Sequence, residues 1–255
     1  MNKVVIVLDP GHGGEDRYNV GPTGYVEADG NLKLALILRK LVLDSYDNVE
    51  VLLTRDEDIT MTLTSRGKKG ANVDLFHSLH SNAGVAGSRG TEVFYSVDIP
   101  GDKNFAEIMS KHIAFAFNTI DRGAKTKESV KYPGEDYMTV VDVAQDSGAK
   151  HVLLLETLFH SDLIEETFLK KEYNLEVIAR IICDVYGEFL PLQRKLNVSE
   201  PVIVRPVSSW AQVAWDKAML KIGKDGTPIN DGKGAKNYVT EEQLMAFFDK
   251  LGLLD

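Results

Sequence analysis

From its amino terminus to residue 190, the chain alternates short apolar runs of the strand type with longer segments of helical periodicity. Val4–Leu8 is a continuous apolar run, Asn31–Asp44 repeats apolar residues at helical spacing, and Val49–Leu53 returns to the strand pattern. A strand, a helix and a second strand in this order form a βαβ unit with parallel strands. Because helices cover both faces of parallel sheets, the alternation predicts an α/β fold with a mostly parallel, twisted sheet between helices.

Five further segments continue the alternation. The pattern predicts strands at Asp74–His80, Thr91–Ser96 and Val152–Glu156, and helices at Lys103–Asn118 and Leu163–Phe189. The region Asp121–Gln145 carries Gly, Lys and Pro in place of a clear period, which predicts a surface loop that leads to a short strand at Met138–Val143.

Prolines divide the remainder of the chain. Pro191, Pro201 and Pro206 interrupt regular structure and mark residues 191–207 as a linker. Residues 208–255 contain two helical patterns around a turn-rich connector, and Thr240 is a candidate N-cap of the second. We therefore expect a large domain at 1–190 and a small helical tail at 208–255.

Composition and charge exclude several classes of protein. A chain of 255 residues with 44% hydrophobic residues can bury one substantial core. The formal net charge of -9 argues against a nucleic-acid partner, which normally meets a basic face. No apolar run is long enough to cross a bilayer, and Val4–Leu8 is too short for the apolar part of a signal peptide. The sequence therefore predicts synthesis in the cytoplasm without a signal peptide or transmembrane segment.

Four polar side chains occur where a functional site is expected. His12 follows the first strand, His80 ends the third and Glu156 ends an apolar run, so all three belong to the carboxyl edge of the sheet. Glu27 lies in a Gly-rich loop before the first helix that can reach the same edge. Two imidazoles, one carboxylate and an open position form a recurrent catalytic zinc site. A histidine in a Gly-rich turn or a Glu before a helix also has an ordinary role, as a solvated loop residue or a first-turn helix carboxylate. Glu156 differs, because a carboxylate at the end of an apolar run is costly to bury without a partner.

The position of the other polar residues near this edge predicts their roles. Side chains alternate along a strand, so His77 and His80 should point to opposite faces. We expect His77 to be hydrogen-bonded under a covering helix and His80 to face the metal. Ser81 and Asn82, just beyond His80, are candidates either for substrate hydrogen bonds or for orienting the site. His160 is a candidate substrate contact at the rim.

The ordered motifs resemble those of one enzyme family. LDPGHGG, a Glu before NL, TR at 54–55, SR and AN at 65–66 and 71–72, SLHSN, GTEVFY and LLET together resemble the zinc-dependent N-acetylmuramoyl-L-alanine amidases called amidase family 3. The resemblance covers about residues 4–189, and it implies that His12, Glu27 and His80 bind Zn²⁺. It also implies that Glu156 is the catalytic carboxylate. Residues 1–190 would then be a zinc amidase catalytic domain.

The reaction that the resemblance implies is a hydrolysis in the bacterial cell wall. Such enzymes cleave the amide between the lactyl group of N-acetylmuramic acid and L-alanine of the peptidoglycan stem peptide. Glu156 would take a proton from zinc-activated water and pass it to the alanine nitrogen. Residues 14–24 depart from the shorter stretch usual in the family, which leaves substrate recognition near the metal open.

The tail and the expected origin of the chain suggest a biological context. Residues 208–255 loosely resemble a single surface-layer-homology motif, which favours wall binding or self-association into a homo-oligomer; a structural extension packed on the core is the alternative. A catalytic domain before a small tail, without a signal peptide, favours a phage endolysin that acts on the wall after release. Two other readings stay open: a non-catalytic wall-binding protein on an amidase fold, and a zinc peptidase acting within the stem peptide.

Overall fold

The computed structural model of the protein describes residues 3–195. The strands are β1 (Val4–Pro10), β2 (Val49–Leu53), β3 (Leu75–Asn82), β4 (Thr91–Tyr95), β5 (Asp121–Lys125) and β6 (His151–Phe159). The helices are α1 (Glu27–Ser45), α2 (Leu63–Gly67), α3 (Lys103–Ala116), α4 (Thr139–Asp146), α5 (Leu163–Leu169) and α6 (Glu172–Phe189). The strands form a six-stranded sheet in the order β2-β1-β3-β6-β4-β5.

The sheet is mostly parallel, as predicted. β1 pairs in parallel with β2 and with β3, β3 with β6, and β4 with β5. β4 runs antiparallel to β6. This reversal has a local cause, because residues 83–90 between β3 and β4 are too few for the crossover that a parallel return requires.

Helices cover both faces of the sheet. On one face, Phe76 and Leu154 pack in a buried apolar cluster with Val141 of α4. The other face carries α6, whose Tyr186 reaches His77 of β3. α1 and α3 both pack against α6 and therefore belong to the same layer. The predicted α/β architecture is confirmed.

His77 lies under this second layer, where the alternation of side chains had placed it. Its ring is fully buried, and Nδ1 lies 2.6 Å from the hydroxyl of Tyr186. Nε2 has no hydrogen-bond partner within residues 3–195. Burial lowers the pKa of His77 from 6.5 to about 3, so the ring is neutral in the folded protein.

This neutral histidine should make the protein sensitive to acid. His77 binds a proton below pH 6.5 in the unfolded chain, but only below about pH 3 in the folded chain. The stability that His77 contributes is therefore complete above pH 6.5 and decreases as the pH falls below that value. The expected loss at about pH 4.5 is about 3 kcal/mol. In urea unfolding at neutral pH and at about pH 4.5, the double variant His77→Leu, Tyr186→Phe should lose less unfolding free energy than the wild type. Equal losses would contradict this assignment.

Three secondary-structure predictions are wrong. The segment predicted as a single helix at Leu163–Phe189 is two helices, α5 and α6, because the backbone is extended at Lys171. The segment predicted as a loop contains β5, an edge strand whose sequence DRGAK lacks an apolar period. The short strand predicted at Met138–Val143 lies mostly in α4, since a short apolar run suits either a buried helix or a strand.

The tail predicted at 208–255 and most of the linker predicted at 191–207 lie outside the described residues. Within residues 3–195, no helix combines the length and the hydropathy needed to cross a membrane.

Candidate metal centre

The ends of β1, β3 and β6 meet at one edge of the sheet. His80 of β3 and Glu156 of β6 are register partners, and the amide of Gly11 donates to the carbonyl of Leu79 at 2.9 Å. The chain then passes directly against the His80 ring: a Cβ on Gly11 would lie 2.2 Å from His80 Cε1, so only glycine fits there. The next residue, His12, has a φ of 62°, in the left-handed region that side chains rarely adopt. With the backbone in this conformation, the His12 ring reaches Glu27 at the same edge.

The three predicted ligands converge at this edge. Nε2 of His12 lies 3.1 Å from one carboxylate oxygen of Glu27, and Nδ1 of His80 lies 3.0 Å from the other. The three donor atoms all lie within 4.8 Å of one another. The structure therefore brings together two imidazole nitrogens and one carboxylate oxygen from the turn after β1, the start of α1 and β3. The sequence pattern predicted Glu27 in the loop before the first helix, but it is the first residue of that helix.

The burial and the hydrogen-bond partners of Glu27 indicate that a cation fits here. Its side chain is 2% exposed, and it is held by His12, His80, the amide of Ser81 at 3.0 Å and the side chain of Asn31 at 3.2 Å. None of these partners is a lysine or an arginine, and a buried carboxylate without a cation is costly. Two imidazoles and a carboxylate are ligands that zinc accepts, so the donor set fits Zn²⁺.

The charges of the three groups are coupled. Burial raises the pKa of Glu27, but hydrogen bonds and charge from His12 and His80 outweigh it, and the net pKa lies below the ordinary value. Burial lowers the pKa of His12, but Glu27 and Asp16 outweigh it and the pKa is raised. Glu27 is therefore ionised and available as a ligand at neutral pH.

Asp16 is a supporting residue that the sequence analysis missed. Its carboxylate lies 2.8 Å from Nδ1 of His12. A carboxylate on the far nitrogen of a metal-binding histidine orients the ring and presents the other nitrogen, here Nε2, to the metal. The spacing of four residues from His12 within the Gly-rich loop was the available signal.

Ser81 and His160, predicted as substrate contacts, are both buried. The hydroxyl of Ser81 lies 3.0 Å from Nδ1 of His160, while the Ser81 amide donates to Glu27. The His160 ring also stacks on Tyr25 at 6.2 Å. This placement supports a role in holding Glu27. Asn82, the third predicted substrate contact, donates to a carboxylate oxygen of Glu92 at 2.8 Å.

Glu156 on β6 lies next to His80 in a row of register partners that crosses the sheet. Its register partners are His80 on β3 and Glu92 on β4. Its Oε2 atom is buried without a hydrogen-bond partner in the described part of the chain. Burial, followed by the charges of Glu27 and Glu92, raises the pKa of Glu156 well above its usual value. A carboxyl group of this kind can hold a proton near neutral pH and exchange it with a reacting group.

Glu166 anchors the loop that leads to Glu27, and no local pattern in the sequence indicates this role. Its side chain is fully buried and accepts hydrogen bonds from the amides of Thr23 and Tyr25, all at 2.9 Å. These partners lie more than 140 residues away in the chain, so only the fold brings them together. The anchor ties the first turns of α5 to the segment that leads into α1.

Known proteins resemble this chain in sequence and in fold. The family described as N-acetylmuramoyl-L-alanine amidase (Amidase_3) matches residues 6–185. The chain is 39% identical over 127 residues to N-acetylmuramoyl-L-alanine amidase CwlM of Bacillus licheniformis, which is 48% of this chain and 49% of CwlM. It is 30% identical over 210 residues to the endolysin of Bacillus phage SPP1, which is 79% of this chain and 71% of the endolysin.

A solved structure extends the comparison to the fold. The catalytic domain of CwlV, an N-acetylmuramoyl-L-alanine amidase from Bacillus (Paenibacillus) polymyxa var. colistinus, matches with a TM-score of 0.64 at 29% identity, over 74% of this chain and 99% of that domain. The chain spans about half the length of curated relatives such as CwlM. Because the family match covers more than half of the sequence, the chain belongs to the N-acetylmuramoyl-L-alanine amidase family.

Proposed function

We propose that the protein is a zinc-dependent peptidoglycan hydrolase that cleaves the amide between N-acetylmuramic acid and L-alanine of the stem peptide. The observation that carries this proposal is the convergence of donor atoms of His12, Glu27 and His80 within 4.8 Å, next to Glu156, whose Oε2 atom is buried. Family membership supports the choice of reaction, since CwlM and CwlV carry the name of this amidase.

His12, Glu27 and His80 would hold the zinc ion and leave a position open to water or substrate. Zinc in such a site supplies Lewis acidity, which makes water acidic enough to attack at neutral pH and polarises a carbonyl group. Glu27 remains ionised for this purpose, and Asp16 keeps Nε2 of His12 directed at the site.

Glu156 moves the proton in this proposal. Its Oε2 atom makes no hydrogen bond within residues 3–195 and is available to take a proton from the attacking water. The raised pKa lets the same carboxyl group keep that proton and then deliver it to the departing alanine nitrogen. One residue thus acts first as general base and then as general acid.

Digestion of purified peptidoglycan tests the reaction. Mass spectrometry of the products should show released peptides with free L-alanine amines and glycan that keeps intact muramic lactyl acids. New ends within the stem peptide would instead indicate a zinc peptidase. A wall-binding protein without activity would release nothing.

The biological context is part of the proposal. The match to the SPP1 endolysin supports an enzyme made in the host cytoplasm that acts on the wall after release. Residues 1–190 would be the catalytic domain, and residues 208–255 would bind the wall or self-associate. Secretion of the native protein from growing, uninfected cells without lysis would contradict an endolysin role.

His80→Ala should lower zinc affinity strongly. Loss of a residue that merely orients a metal ligand typically costs about 10- to 100-fold in affinity, so loss of a ligand should cost at least as much. Zinc content after dialysis, measured by elemental analysis, is the readout. His112→Ala is the matched control, because His112 is exposed on α3. A His80→Ala protein with full zinc content would show that another group is the ligand.

A further inference from the structure

We propose that Arg122 and Lys125 form a recognition subsite for a carboxylate of the stem peptide, beside the catalytic edge. The inference rests on the proposed function, because it places the peptide side of the substrate across β4 and β5. The glycan side of the substrate would then extend in the opposite direction, toward β1 and β2.

The subsite continues a row of side chains that crosses the sheet. His80, Glu156 and Glu92 are register partners on β3, β6 and β4. Register partners point to the same face of a sheet, and neighbouring strands lie about 4.8 Å apart. Glu92 is therefore about 10 Å from His80, two strand spacings along the row.

Two cations converge on Glu92 at the end of this row. Nε of Arg122 lies 2.6 Å from Oε2 of Glu92, and Nζ of Lys125 is paired with the same oxygen. The other oxygen, Oε1, accepts from Asn82. One carboxylate thus faces two cations, and this cluster of three charged side chains carries a surplus positive charge.

The two cations remain open to solvent. The side chains of Arg122 and Lys125 are 33% and 35% exposed, whereas that of Glu92 is only 7% exposed. An ammonium has three N–H donors and a guanidinium has five, so each group can bind a second anion while it keeps Glu92. Within residues 3–195, no other Lys or Arg side chain is paired with Glu92.

The backbone between the two cations leaves open space. Gly123 is the β5 register partner of Glu92 and lies between Arg122 and Lys125 in the chain. A Cβ placed on Gly123 would have no atom within 4 Å other than those of its own chain neighbours. The chain therefore carries no bulk at this position of β5, between the two residues that provide the cations.

The charge of the substrate decides which part of it fits this position. Muramic acid, once its lactyl group is in amide linkage, and its neighbouring sugar are neutral, whereas the stem peptide is acidic. With the scissile amide at the metal site and Glu156, the residue after L-alanine extends along the row toward β5. A free α-carboxylate on that residue can then accept charge-assisted hydrogen bonds from Lys125 and Arg122.

The test compares two synthetic muramoyl dipeptides that differ only in this α-carboxyl group, one free and one as the carboxamide. The zinc-loaded full-length protein should show about tenfold higher kcat/KM for the carboxylate, as expected for a charge-assisted contact in a half-exposed site. Lys125→Met should bring the two values within about twofold of each other, mainly through a higher KM for the carboxylate. Lys125→Arg should restore the preference because it keeps the charge.

Lys150→Met is the matched control. Lys150 is also paired with a carboxylate, Asp74 at 2.7 Å, but it lies at the opposite edge of the sheet, before β6. This variant should keep the preference of the wild type. Equal rates for both substrates in the wild type, or a preference that survives Lys125→Met, would overturn the subsite and leave the amidase proposal standing. Failure to cleave either substrate, in a preparation that also releases no peptide from peptidoglycan, would overturn both proposals.

Discussion

Glu156→Gln should abolish nearly all turnover on peptidoglycan and leave zinc content unchanged. Glutamine keeps the shape of the side chain but cannot accept a proton from water or return it to the leaving nitrogen. A positioned general acid or base contributes about 10²–10⁴-fold to a rate. Because Glu156 is proposed to serve in both transfers, we expect a loss at the upper end of this range.

The measurement combines the initial rate of peptide release with elemental analysis of the same preparation. Glu188→Gln is the control, since it makes the same chemical change at an exposed position of α6 and should retain full activity. Residual activity of Glu156→Gln above about a tenth of the wild type would reassign the proton transfer to another group. Loss of zinc in this variant would place Glu156 among the ligands.

Asp9→Asn should lower the free energy of unfolding by about 3–5 kcal/mol, which is the usual cost of leaving one member of a buried ion pair without its partner. Asp9 is 0% exposed and Arg66 3% exposed, and the two form a pair of hydrogen bonds at 2.7 and 2.8 Å. Burial raises the pKa of Asp9, but Arg66, Ser78 and Thr54 outweigh it and hold the carboxyl ionised.

Urea unfolding at neutral pH measures this loss. The double variant Asp9→Asn, Arg66→Met also removes the buried cation that Asp9→Asn leaves unpaired. It should recover part of the stability, because replacing both members of a buried ion pair costs less than removing one of them. Lys40→Met is the control: its pair with Asp44 is exposed and should contribute less than about 1 kcal/mol. A loss below about 1 kcal/mol in Asp9→Asn would show that Arg66 finds compensation elsewhere.

The parts of the fold that could be predicted are those in which burial and sequence period agree. β1 and β6 are buried apolar runs, and β2 has the predicted bounds. The meeting of His12, His80 and Glu156 at one edge could be predicted because each lies at or just beyond the end of one of three parallel strands. The opposite orientation of His77 and His80 also followed from strand alternation alone.

The parts that could not be predicted depend on contacts between distant segments. β5 is an edge strand with half-exposed residues, so its sequence DRGAK carries no period to detect. The helix breaks at Lys171, between α5 and α6, although no proline or glycine there indicates a break. Glu166 holds the amides of Thr23 and Tyr25 through contacts that only the folded chain creates.

His12, Glu27 and His80 should jointly hold one zinc ion. Anomalous scattering at the zinc absorption edge, from crystals grown with zinc, tests it most directly. We expect one strong peak about 2.0–2.2 Å from a nitrogen of each histidine and an oxygen of Glu27. Absence of a peak there, with the three side chains apart, or a single peak at other residues, would contradict the account.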